Sequence, residues 1–100
     1  MKTFEESVLA TAKEVAELVI KKQHDYGKNN ILKSVIKPEL AILVRLNDKL
    51  ARGANLIQEE LTPENESLLD TANDIIGYGL ILRMVLDGTF ELPMKEKNVK

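Results

Sequence analysis

Residues 65–78 run Asn65-Glu66-Ser67-Leu68-Leu69-Asp70-Thr71-Ala72-Asn73-Asp74-Ile75-Ile76-Gly77-Tyr78. Residues three and four apart share a helix face, so Glu66, Asp70, Asn73 and Gly77 form one stripe, with Asp74 beside it. Leu68, Leu69, Ala72, Ile75 and Ile76 fall on the other side. The spacing predicts the front half of a helix. No Lys or Arg stands between Gly53 and Leu82 to neutralise the carboxylates. Acids stacked at helical spacing repel one another. They call for a cation or a basic wall opposite, or else form a solvated stripe near a helix N-terminus, where negative charge is favoured.

The second half of that helix, Ile75–Leu86, is apolar almost all round. A helix without a wet face must be covered on every side, and two other helices in a chain of 100 residues cover it poorly. The expectation is an all-α fold of three long helices plus a short connector helix, with the bundle completed by oligomerisation into a dimer or tetramer. Gly77 and Gly79 each cost about 1 kcal/mol of helix propensity relative to Ala. They make sense where another helix or a ligand comes close.

Composition agrees. Apolar residues are 44% and charged ones 30%, and the four aromatics include no Trp. The core therefore falls to Leu, Ile, Val and Ala, which favours helices over a β-sandwich. The absence of Cys excludes disulfides, thiolate metal sites and a thiol nucleophile. A formal charge of −2 argues against direct DNA binding. The opening Lys2-Thr3-Phe4-Glu5-Glu6 is no signal peptide, and the apolar run at Ile75–Leu86 is too short to span a bilayer. The reading is a cytoplasmic protein with no membrane partner.

The remaining boundaries follow from caps. Thr3 with Glu6 makes a capping box for a first helix, which carries Phe4, Val8, Ala12, Val15, Ala16 and Val19 on one face and ends at Tyr26-Gly27. From Lys21 to Lys37 there are five Lys and one His against the single acid Asp25. That connector suits phosphates, or simply the negative end of a helix dipole. Ile31, Leu32, Val35 and Ile36 predict that it packs down. Pro38 opens a second helix, with Leu40, Leu43, Val44, Leu50, Ala54 and Ile57 as its buried face, ending near Leu61. Arg45, Asp48, Lys49 and Arg52 cluster on one side of it. They are either internal salt bridging or the opposite wall for the acidic stripe. Thr62-Pro63 predicts the start of the third helix, closed by Gly88. Residues 1–88 then form one domain, and 89–100 a loosely docked tail.

Three pieces come in the order and approximate spacing of a known family: His24-Asp25-Tyr26-Gly27; Arg45-Leu46-Asn47-Asp48-Lys49 with Arg52; and Asn65-Glu66-Ser67 with Asp70-Thr71, Asp74 and Tyr78. Over roughly residues 8–87 the chain resembles the small, largely phage-encoded nucleotide modification associated domains. These are similar to the MazG-type all-α nucleoside triphosphate pyrophosphatases. The resemblance implies a Mg²⁺-dependent pyrophosphohydrolase (Mn²⁺ as a substitute) that cleaves (d)NTP into (d)NMP and pyrophosphate in the host cytoplasm. It implies Glu66, Asp70 and Asp74 as catalytic residues and, with Asp48, as metal ligands. Arg45, Lys49, Arg52, His24, Asp25, Tyr26, Lys28 and Tyr78 would bind the nucleotide. The family pattern is departed from: MazG-type enzymes carry Glu-x-x-Glu on one helix and Glu-x-x-Asp on a later one. Here Glu66, Asp70 and Asp74 step by four, the second helix offers Asp48 alone, and the early Glu14-x-x-Glu17 is either ordinary solvated surface or half of a metal site. A nucleotide-binding or regulatory module without chemistry, associated with phage DNA modification, is the alternative.

Overall fold

A computed structural model describes residues 2–59 and 67–95. Among these the chain is all-helical, in the order α1 (Phe4–Tyr26), α2 (Asn29–Leu32), α3 (Pro38–Gln58) and α4 (Leu68–Asp87), followed by a 3-10 turn at Thr89–Glu91. Three long helices and one short connector helix are thus the fold that the periodicity predicts. No helix among the described residues is long and apolar enough to cross a membrane.

The caps explain the boundaries. The Thr3 hydroxyl accepts from the Glu6 amide, and the Glu6 side chain accepts in turn from the Thr3 amide, so the predicted capping box opens α1. Gly27, at φ +73°, ends it with its N–H donated to the Gln23 carbonyl. Pro38 occupies the first turn of α3 as expected. The fourth helix starts later than Thr62-Pro63 suggests. Ser67 is extended (φ −84°, ψ 167°) and exchanges hydrogen bonds with Asp70, a second capping box. Thr62, Pro63 and Glu66 lie outside the described residues, as does Leu61, the expected end of α3.

The inner layer is the α3–α4 pair, with α1 laid against α4 and α2 against α3. Ile42 is fully buried and, with Ile31 and Phe90, forms the core on which Leu46, Ile81, Leu82 and Val85 pack. Two glycines admit neighbours. A Cβ on Gly77 would stand 3.1 Å from Val19 Cγ2, and one on Gly53 would stand 3.6 Å from Thr71 Cγ2. Gly77 is therefore where α1 approaches α4, whereas a Cβ on Gly79 would meet nothing within 4 Å.

Three packing expectations change. In α3 the inward face is Ala41, Ile42, Leu46 and Gly53, while the expected face of Leu40, Leu43, Val44, Leu50 and Ile57 is exposed in the single chain. Arg45 and Lys49 share that inward side and line a cavity, so the richer apolar stripe faces outward in the single chain. In the connector only Ile31 and Leu32 pack down, and Val35 is fully exposed. Beyond Gly88 the chain does not come loose at once, because Phe90 is only 5% exposed in the core.

Much apolar surface stays uncovered. Residues 2–14 are all exposed, including Phe4, Val8 and Leu9, as are Ile76, Leu80 and Leu86 of α4. The surface is 8011 Å², against about 5,700 Å² for a compact monomer of this mass.

Candidate functional site

The last two turns of α1, the connector helix, the middle of α3 and the middle of α4 surround a cavity of about 220 Å³. Helical spacing selects its walls. Lys22 and Tyr26 are four apart on α1, Arg45 and Lys49 four apart on α3, and Asp74 and Tyr78 four apart on α4, so each pair projects from one face into the same space. Asn30 and Asn73 add amide groups; Leu18, Val19, Ile31, Gly77 and Ile81 form the apolar floor and sides. Ile31 and Ile81 belong to the core region, so the floor is anchored to the rigid centre of the fold.

Charge in this cavity is lopsided. Three cations (Lys22, Arg45, Lys49) stand against one carboxylate (Asp74), a formal surplus of two positive charges. Lys22 Nζ donates to Asp74 Oδ1 at 2.8 Å, and Lys49 Nζ lies 2.9 Å from Asp74 Oδ2. Each carboxylate oxygen thus takes one ammonium, and the clasp ties α1 and α3 to α4. Partial burial of Asp74 disfavours its charged form. The hydrogen bonds and charges of Lys22 and Lys49 outweigh that cost, and the carboxyl is held below the usual aspartate range. Arg45 Nη2 donates to the Asn30 carbonyl at 3.2 Å, which fixes the guanidinium against the connector.

The residues singled out in the sequence divide accordingly. Arg45, Lys49, Asp74, Tyr26 and Tyr78 are brought together in the cavity. Tyr26 is exposed and Tyr78 is half-buried against the core. Asp70 does not line it; the carboxylate accepts from the Ser67 amide at 3.3 Å and serves the α4 cap. Asp48 and Arg52 are exposed on α3 outside the cavity lining, Arg52 one turn beyond the Lys49 level. His24 and Asp25 sit in the last turn of α1 and do not line it either. Lys28 spans to the C-terminal turn, donating to the Glu91 carbonyl at 3.2 Å. Among the described residues, no three His, Asp or Glu side chains gather into a group that could hold a metal ion; Glu66 lies outside them.

Lys22, Asn30 and Asn73 were not among the expected site residues. Lys22 was hidden in the Lys21-Lys22 pair, whose position at a helix end already has an electrostatic explanation. Its signal was the four-residue step to Tyr26. Asn73 lies on the acidic stripe, but a neutral side chain carries no charge signal.

For a divalent cation, Asp74 is a suitable oxygen donor: Mg²⁺ is commonly held by one or two carboxylates, several waters and the substrate's own phosphates. The three surrounding cations suit those phosphates. No protein-family model, curated protein or solved structure matches this chain.

Proposed function

We propose that this chain is a nucleotide-binding helical domain, similar to the MazG-type fold, that takes its ligand's phosphates on Lys22, Arg45 and Lys49. The observation that carries this reading is the cavity with three cations and one carboxylate at the junction of α1, α3 and α4. Arg can grip a phosphate through two parallel N–H bonds, and Lys adds a mobile point charge. Tyr26, on the rim, offers an exposed ring on which a base stacks, a contact worth about 1–3 kcal/mol in proteins that bind single-stranded nucleic acid. Asn30 and Asn73 supply both donors and acceptors for base or sugar edges.

The second reading adds pyrophosphohydrolysis of (d)NTP on the same residues, and it is favoured by Asp74 lining the same cavity as the cations. Bound Mg²⁺ would supply an activated water and a counter-charge for the phosphates. On this reading Asp74 would hold the metal, Lys22 and Lys49 would pair with phosphate oxygens instead of Asp74, and Arg45 would offset negative charge on the pyrophosphate group.

A homo-oligomer belongs to the proposal as well. The outward stripe of α3 and the bare N-terminal half of α1 would be covered by a second copy working in the cytoplasm on the nucleotide pool. Phe4, Val8 and Leu9 of α1 and Leu43, Val44, Leu50 and Ile57 of α3 are the apolar side chains such a copy would bury. Product analysis separates the two functional readings. Saturable nucleotide binding without pyrophosphate release supports the binding module; release that needs Mg²⁺ supports the hydrolase.

A further inference from the structure

We infer that Asp74 is an internal stand-in for ligand phosphate, and that the cavity admits an anion only by exchange with this carboxylate for Lys22 and Lys49. The inference rests on the phosphate-binding reading and deepens it by naming the class of phosphate. The geometry that carries it is the clasp itself: two ammonium groups from two helices close on the two oxygens of one carboxylate at 2.8 and 2.9 Å. Two N–H···O contacts on two oxygens of one anion are what a phosphate would also receive there. Arg45 lines the same cavity and forms no ion pair with Asp74 in the clasp, so the surplus positive charge is already in place on its third wall.

Exchange sets a charge threshold. A group that takes both lysines from Asp74 leaves that carboxylate behind, nearby and negative. A phosphodiester carries a single charge and gains nothing over the carboxylate that it displaces. A terminal phosphate carries about −1.5 to −2 at pH 7, and a diphosphate or triphosphate more. The cavity therefore takes terminal phosphates, as in inorganic pyrophosphate or a free nucleotide, and rejects diesters, as in a nucleic-acid backbone or a cyclic nucleotide. Asp74 acts in this scheme as a specificity-determining residue. While no ligand is bound it also keeps Lys22 and Lys49 from repelling each other.

The test is calorimetric titration of the full chain in EDTA with inorganic pyrophosphate and, separately, with dimethyl phosphate. Asp74→Asn is expected to bind pyrophosphate about tenfold more tightly than the unaltered chain, and to gain measurable affinity for dimethyl phosphate. Glu59→Gln, which changes net charge equally from the far end of α3, is expected to shift pyrophosphate affinity less than twofold. Equal or weaker pyrophosphate binding by Asp74→Asn, no binding by either protein, or an equal gain in Glu59→Gln would each overturn the inference. Should Asp74→Asn fail to fold by circular dichroism, Lys22→Gln decides: a loss of threefold or more supports exchange, and unchanged affinity refutes it. A nucleoside triphosphate titrated into the unaltered chain, with and without Mg²⁺, tests the nucleotide reading by itself. Failure there leaves the pyrophosphate result standing, and the reverse also holds.

Discussion

At the scale of single residues, the identity of the ion partners decides what each acid does. Asp70 and Asp74 look equivalent on a helical stripe, yet Asp70 bonds the Ser67 amide of its own cap while Asp74 faces two lysines from other helices. The difference has a pH signature. The Asp74 carboxyl lies below the usual aspartate range in the folded chain, so the unfolded chain binds its proton first as pH falls. The clasp therefore contributes fully above about pH 4 and its contribution is lost as pH drops through the lowered folded value. Thermal melts from pH 7 to pH 2.5 should show Asp74→Asn less stable at neutral pH, with a shallower decline in acid than the unaltered chain; parallel curves would refute this. Lys22 is half exposed, so its pair is weakened by solvent and is worth less than that of Lys49, on the order of 0.5 kcal/mol. The stripe left a cation, a basic wall or plain solvent as what stands opposite the acids, and at Asp74 it is Lys22 and Lys49 that stand there. What the pattern could not say is which acid meets that wall, because a cap competes for Asp70 through the Ser67-Leu68-Leu69-Asp70 signal, which was present in the sequence and overshadowed by Thr62-Pro63.

At the scale of elements, helix existence was legible and helix facing was less so. Thr3 with Glu6, Gly27 and Pro38 fix α1 and the start of α3 through local hydrogen bonding and backbone geometry, which depend only on neighbours in sequence. Which face turns inward depends on the other helices. In α3 the apolar stripe through Leu43 and Leu50 is outside and the mixed stripe through Ile42, Arg45 and Lys49 is inside, a choice that periodicity within one helix cannot make. The glycines of α4 give a sharp contrast. Gly79→Ala adds a Cβ into open space and should stabilise the isolated chain by about 1 kcal/mol through helix propensity. Gly77→Ala puts its Cβ 3.1 Å from Val19 Cγ2, so that gain is offset by displacing α1. Denaturant melts of the pair check this, and equal shifts would contradict the close approach at Gly77. The C-terminal turn is a second case. Phe90 follows the helix-ending Gly88 and reads as tail, but its ring is buried beside Ile31 and Ile42. Phe90→Ala should cost about 3 kcal/mol, measured by urea unfolding; a loss under 1 kcal/mol would place the ring outside the core.

At the scale of the whole molecule, the surface and the cavity point in complementary directions. The uncovered apolar faces of α1, α3 and α4 suit cover by a second copy, and light scattering behind size exclusion is expected to give a mass of at least twice 11.2 kDa. Leu43→Ser together with Leu50→Ser should lower that mass, whereas a monodisperse monomer for the unaltered chain would leave the apolar stripe without its proposed cover. The cavity lies at the junction of four helices, so its make-up could not be read from any one of them: Lys22, Asn30, Arg45 and Asp74 are far apart in sequence and meet only after α3 and α4 have paired. On the proposed function, these meeting cations hold nucleotide phosphate. Titration of a nucleoside triphosphate into the unaltered chain, followed by calorimetry at low and high salt, tests it most directly. The expected result is saturable binding that weakens as salt screens the cations and is lost in a Lys22→Gln, Lys49→Gln double variant that still folds. Absence of any binding at millimolar nucleotide, with or without Mg²⁺, would contradict it.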